Sequence, residues 1–113
     1  DMHEPIRPTG MHRTYPNWLA NEAGRGNEYG AFSTGNAPDH VTILPFTRLM
    51  GGPMDYTPGA LTNMDKENFA PAFTRPMSLG TRAHQVAMYV IYESPLQMLS
   101  DIPSSYMKEQ ETT

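Results

Sequence analysis

Cysteine is absent from this 113-residue chain, so disulfides, thiolate metal sites and cysteine nucleophiles are all excluded. That absence fits the cytoplasm and the periplasm equally. Basic residues are scarce: eight Lys+Arg stand against twelve Asp+Glu, for a net charge of −4. A surface that tracks nucleic-acid phosphates is therefore not expected. No apolar run approaches the ~20 residues needed to cross a bilayer. Natural termini are not evident either: Asp1-Met2-His3-Glu4 carries no initiator Met and no basic-then-apolar leader. Met107-Lys108-Glu109-Gln110-Glu111 reads like the opening of a helix cut short. A piece of a larger protein is expected.

What is abundant is turn chemistry. Eleven Pro and nine Gly are spread through Arg7-Pro8-Thr9-Gly10, Gly51-Gly52-Pro53 and Thr57-Pro58-Gly59, with nine Met and six Tyr among them. Enough apolar and aromatic material remains for burial, so this is the texture of functional loops on a scaffold rather than of a disordered tail.

The pattern predicts a strand ending at Met2-His3-Glu4, a turn and short buried strand over Thr14–Ala20, and a long loop from Ala23 to Pro38. Asp39 to Met50 is predicted helical after the Pro38-Asp39 start signal, with Pro45 demanding a kink. Gly51–Tyr56 is a further short segment, and Ala60–Pro76 a mobile surface loop. Thr81–Tyr92 is the strongest helix, with Ala83, Val86, Ala87, Val90 and Ile91 expected to form its buried stripe. Short strand, long loop, helix, then the same again is the rhythm of βα units in an α/β barrel, whose strands end in functional loops at one face.

Three glutamates, Glu4, Glu22 and Glu28, lie within 25 residues of a chain otherwise poor in charge. Each is flanked by Gly, Pro, Asn or aromatics rather than by Lys at helical spacing. Two carboxylates across a cleft can cleave a glycosidic bond as acid and base or nucleophile. Carboxylates converging with carbonyls and waters can equally hold Ca²⁺, which takes ~6–8 oxygen ligands. Spacing alone leaves both open, beside the bland alternative of exposed loop glutamates.

His3 has the position to bond a substrate hydroxyl or to be a satisfied strand-end histidine. His12 and His40 read as surface or helix-start residues, and His84 as structural. No histidine pair has zinc-ligand spacing. Asp55 fits either a cleft or a structural hydrogen bond. Arg25 suits orienting a carboxylate, and Trp18 and Tyr29 suit a sugar platform or the core. Ser33-Thr34-Gly35 lacks the surroundings of a nucleophile elbow, and Gly24-Arg25-Gly26 does not match a phosphate loop.

Several strings in order carry a resemblance. They are His3-Glu4-Pro5-Ile6-Arg7-Pro8-Thr9-Gly10, Arg13-Thr14-Tyr15-Pro16-Asn17, Glu22-Ala23-Gly24-Arg25-Gly26-Asn27-Glu28-Tyr29, Leu44-Pro45-Phe46-Thr47-Arg48, Gly52-Pro53-Met54-Asp55-Tyr56-Thr57-Pro58-Gly59 and Ser94-Pro95-Leu96-Gln97-Met98-Leu99. Together they resemble glycoside hydrolase family 97, the α-glucosidases and α-galactosidases of gut-bacterial glycan utilisation. The resemblance implies that residues 1–113 are the C-terminal portion of a catalytic (β/α)₈ TIM barrel, α/β in class and only a partial domain, lacking its flanking β domains. It implies a periplasmic enzyme acting on oligosaccharides, with no nucleic-acid or membrane-inserted partner, completed by the remainder of its own barrel.

By the same resemblance Glu4 is the general base of the inverting α-glucosidase branch, since retaining relatives typically carry Gly there and use an Asp on an earlier strand as nucleophile. Glu28 is then the general acid, Glu22 a Ca²⁺ ligand with Glu4 and Glu28 approaching the same ion, and His3 a substrate contact. An inverting site needs its carboxylates roughly 6.5–9.5 Å apart so that water fits between. A retaining α-galactosidase of the same family is the alternative reading, and a carbohydrate-binding or structural fragment without turnover is another.

Overall fold

The computed structural model describes residues 10–108; the expected strand end at Met2–Glu4, with His3 and Glu4, lies outside them. Among the described residues, five short or medium helices are joined by long loops. They are α1 (Met11–Thr14), α2 (Tyr29–Phe32), α3 (Pro38–Ile43), α4 (Arg82–Ile91) and α5 (Pro103–Tyr106). Two 3₁₀ turns, Leu44–Phe46 and Arg48–Gly51, follow α3, and two-residue strands β1 (Asn63–Met64) and β2 (Ser78–Leu79) pair in parallel.

A second parallel contact joins Asn21 to Met54. Asn21 N donates to Pro53 O at 3.3 Å, and Asp55 N donates to Asn21 O at 2.8 Å. Between these two points the chain runs through α2, α3 and both 3₁₀ turns, a crossover such as parallel pairing requires. Because the two segments run the same way, the loops that follow them, 23–37 and 57–80, leave from one end. The strand expected over Thr14–Ala20 is instead a turn and an irregular stretch that reaches the ladder only at Asn21.

The helix expected from Asp39 to Met50 is three pieces. Pro38 opens α3 at its first turn, where no N–H is needed. Pro45 cannot donate to a continuing α-helix, and the chain tightens into the Leu44–Phe46 turn. The Ala60–Pro76 stretch contains β1. Toward the other end α5 closes at Tyr106 with Met107 as its cap; of the helix opening expected at Met107–Glu111, residues 109–111 lie outside the described residues.

The core is built from Val41, Leu44, Met54, Tyr56, Met88 and Tyr92, with Leu49 packed against it. Tyr56 and Tyr92 meet edge to face with centroids 5.2 Å apart, and Tyr92 Oη donates to Val41 O at 2.7 Å. Its apolar ring is thus buried while its hydroxyl is satisfied.

Helix α4 is where the pattern misleads. It starts as expected, with Thr81 accepting from His84 N at 3.2 Å. Yet the buried side chains are Gln85 and Met88, whereas Val86 is 40 %, Ile91 55 % and Val90 87 % exposed. The reason is polar. Gln85 Oε1 accepts from Gly59 N at 3.1 Å and Ala60 N at 3.3 Å, which turns the opposite stripe outward. Phe46, Met50 and Phe73 are likewise exposed.

Candidate active site

Glu22 and Asp55 each follow by one residue the paired Asn21 and Met54, so they sit side by side on neighbouring parallel segments. Both are buried, at 5 % and 4 % exposure. The backbone that presents Glu22 is held by a single guanidinium. Arg48 donates to the carbonyls of Asn21 (2.8 Å), Glu22 (3.3 Å), Ala23 (3.1 Å), Gly52 (3.0 Å) and Pro53 (3.5 Å). A planar fork with several donors suits this multiple engagement; a lysine would not reach it. Burial pushes the Arg48 pKa down from its ordinary value. Immediately after Glu22, Ala23 takes φ 39, a left-handed conformation costly for a residue with a Cβ. The chain there turns sharply away from the paired segment toward Glu28.

Glu28 is exposed and precedes α2. Its carboxylate folds over Gly26, where a Cβ would overlap it. The loop beneath is locked by amides. Asn36 Nδ2 donates to Arg25 O at 2.9 Å and Gly26 O at 2.8 Å. Asn27 Nδ2 donates to Thr57 O at 2.7 Å and Gln85 Oε1 at 2.9 Å, while its Oδ1 accepts from Tyr56 Oη at 3.4 Å. Glu28 thus projects from a segment tied to Tyr56 and Thr57 and to α4 at once. Tyr56 feels this arrangement: burial pushes its hydroxyl up to about 12, the Asn36 bond opposes that, the Glu28 charge adds to it and the Arg25 charge subtracts.

Glu22 and Glu28 thus have different settings: one is buried beside Asp55, the other exposed on a pinned loop. Among the described residues no three His, Asp or Glu side chains converge. The proposed cluster of Glu4, Glu22 and Glu28 thus turns on Glu4, outside the described residues. His12 lies over Gly52, and His40 is half-buried at α3. Trp18 is half-buried and bonds through its indole N–H to Asn21 Oδ1; Tyr29 stacks obliquely on Phe32 at 5.0 Å.

Sequence reasoning overlooked Asn27, Asn36 and Gln85. A signal existed for Gln85, a polar residue set between the apolar positions of a helix, but no pattern announced that it would seek backbone N–H groups 25 residues upstream.

No family model matches the chain. Over 115 residues, covering 100% of this chain, it is 45% identical to a retaining alpha-galactosidase of Bacteroides thetaiotaomicron, of which it covers 17%. Over 106 residues, 94% of the chain, it is 34% identical to a probable retaining alpha-galactosidase of Streptomyces bingchenggensis, of which it covers 14%. The chain is homologous to a segment of glycoside hydrolases and spans under a fifth of the length of these curated relatives.

Proposed function

We propose that the chain is the acid-bearing segment of a glycoside hydrolase that cleaves α-galactosidic bonds with net retention. The observation that carries this is Glu28: an exposed carboxylate on a loop tied by Asn27 and Asn36 to the core. In this reading Glu28 gives its proton to the leaving-group oxygen while a carboxylate nucleophile attacks the anomeric carbon. It then takes a proton from the water that releases the sugar. The nucleophile is the Asp on an earlier strand that the family resemblance implies. The relatives' names favour this retaining reading over the inverting α-glucosidase that Glu4 suggested. Glu4 then becomes the distinctive feature of this chain, standing where retaining members typically carry Gly.

The scaffold reading is the last βα units of a TIM barrel. It is supported by the parallel Asn21–Met54 contact with its helical crossover, and by the exposed apolar side of α4, which the remaining units would cover. Ca²⁺ belongs to the same proposal. Glu22 has the oxygen chemistry that ion takes; Glu4, Glu28, carbonyls and waters would complete the ~6–8 ligands. Bound there, the ion would supply positive charge beside the reacting sugar. A periplasmic location follows from the family resemblance alone.

The test is the anomer first released from an α-galactoside by the full-length protein, followed by proton NMR. The α-anomer is expected. The β-anomer restores the inverting reading, and turnover of α-glucosides with galactosides untouched restores the glucosidase one. Chelation followed by Ca²⁺ add-back tests the metal, and full activity in excess chelator removes it from the proposal.

A further inference from the structure

A cavity of about 940 Å³ lies between the 33–40 stretch and the 65–71 loop. That is at the upper end of the ~300–1,000 Å³ typical of small-molecule sites. Its walls come from the stretches that follow the parallel Asn21 and Met54 segments. Arg25, three residues before Glu28, is part of its lining.

The chemistry of the walls is specific in kind. Phe69 supplies an aromatic face. Its ring packs so closely on Gly35 that a Cβ there would approach Phe69 Cζ to 2.9 Å, and Gly35 adopts φ 72. The ring is therefore held against a backbone that leaves no room for a side chain. Asp65 accepts from Asn68 N at 2.9 Å and Asn68 Nδ2 at 2.7 Å through one oxygen, which fixes the loop and leaves its second oxygen for a donor. Arg25 and Lys66 bring donors, and Asp39 and His40 complete the rim. Two cationic and two anionic side chains, Arg25, Lys66, Asp39 and Asp65, line the cavity together with one aromatic ring, so neither an anion nor a cation is singled out. A neutral, polyhydroxylated ring is: its C–H face stacks on the aromatic quadrupole and its hydroxyls both donate and accept.

We propose that this cavity is the subsite for the leaving-group hexose, stacked on Phe69 and bonded at its hydroxyls by Asp65, Lys66 and Arg25. It rests on the glycosidase reading above and adds where the second sugar sits and what holds it. Glu28 then faces the bond between the two sugars.

The experiment compares two substrates in the full-length protein. Melibiose carries a glucose leaving group; α-galactosyl fluoride releases fluoride ion and carries no second sugar. Phe69→Ala is expected to lower kcat/KM for melibiose relative to that for the fluoride by at least roughly tenfold, the scale of a lost sugar-ring contact. Phe69→Tyr, which keeps the ring, should restore the ratio. An unchanged ratio in Phe69→Ala overturns the subsite even if both substrates slow through misfolding. Glucose binding by calorimetry gives an independent readout. Should the wild type hydrolyse neither galactoside, the galactosidase reading fails; glucose affinity weakened in Phe69→Ala would still support the subsite, and equal affinity would refute it.

Discussion

Asn27 and Gln85 stand 58 residues apart in the chain and are joined by a 2.9 Å hydrogen bond from Asn27 Nδ2 to Gln85 Oε1. The same Gln85 oxygen receives the backbone N–H groups of Gly59 and Ala60. One buried amide on α4 thereby fastens the loop that carries Glu28 to the loop that follows the core segment. Gln85→Leu removes the acceptor of the Gly59 and Ala60 N–H groups, while Asn27 Nδ2 keeps Thr57 O, and a buried site left unsatisfied in this way costs about 1–3 kcal/mol. Denaturant unfolding of the full-length protein should show a loss in that range for the variant. A loss below about 0.5 kcal/mol would mean that water takes over the role of the Gln85 oxygen.

Arg48 is the corresponding fastener beneath Glu22. Its donors reach carbonyls on both sides of the Asn21–Met54 contact. Arg48→Lys keeps the charge and loses the fork. The expected cost is on the order of 2 kcal/mol, as for hydrogen bonds to a charged group. Amide exchange should accelerate at Asn21 and Asp55, the backbone donors on that contact. Unchanged protection there would show that Arg48 does not hold the pairing.

These two fasteners show what a sequence does and does not disclose. Start signals are local, so Thr81 before α4 and Pro38 before α3 were legible, as was the interruption at Pro45. Glu22 and Glu28 stood out because charge is rare around them. The buried face of α4 was not legible. Hydrophobic periodicity assumes that the core is apolar, and here a polar side chain faces inward because backbone N–H groups await it. Val86, Val90 and Ile91 carry the moment and face outward. The cavity was equally hidden, since Arg25, Gly35 and Phe69 meet only through tertiary folding.

Removal of the acid tests chemistry rather than stability. Glu28→Gln should abolish hydrolysis of melibiose while sparing α-galactosyl fluoride, whose leaving group needs no proton. A loss on the order of 10²–10⁴-fold is the ordinary worth of general acid catalysis. Equal loss on both substrates would count against the acid role.

Tyrosine burial sets an alkaline limit. Tyr56 is pushed up to about 12 from its ordinary 10.0, chiefly by burial, and burial also raises Tyr89 and Tyr92. A group whose folded pKa exceeds its unfolded one contributes stability that is present below the unfolded value. That contribution is lost as pH climbs toward the folded value. Stability should therefore fall between pH 10 and about 12, in the direction set by Tyr56. Tyr56→Phe should shallow that fall, read from unfolding midpoints across the range. An unaltered slope would mean that another group governs it.

Gly26 offers the sharpest separation of position from stability. Its backbone does not need the left-handed region, so alanine meets no conformational penalty there. What alanine meets is the Glu28 carboxylate, which occupies the space where the Cβ would stand. The carboxylate ends a flexible side chain and can swing aside, so the fold should tolerate the change within about 1 kcal/mol. Catalysis should not, because a displacement near 1 Å can cost ~10²-fold in rate. Gly26→Ala is thus expected to unfold like the wild type while kcat on melibiose drops by one to two orders of magnitude, roughly. The fluoride, indifferent to the proton donor, should be spared. Were kcat unchanged on melibiose, the position of Glu28 against Gly26 would not be the one in which it acts, and the acid would have to reach the bond from another rotamer.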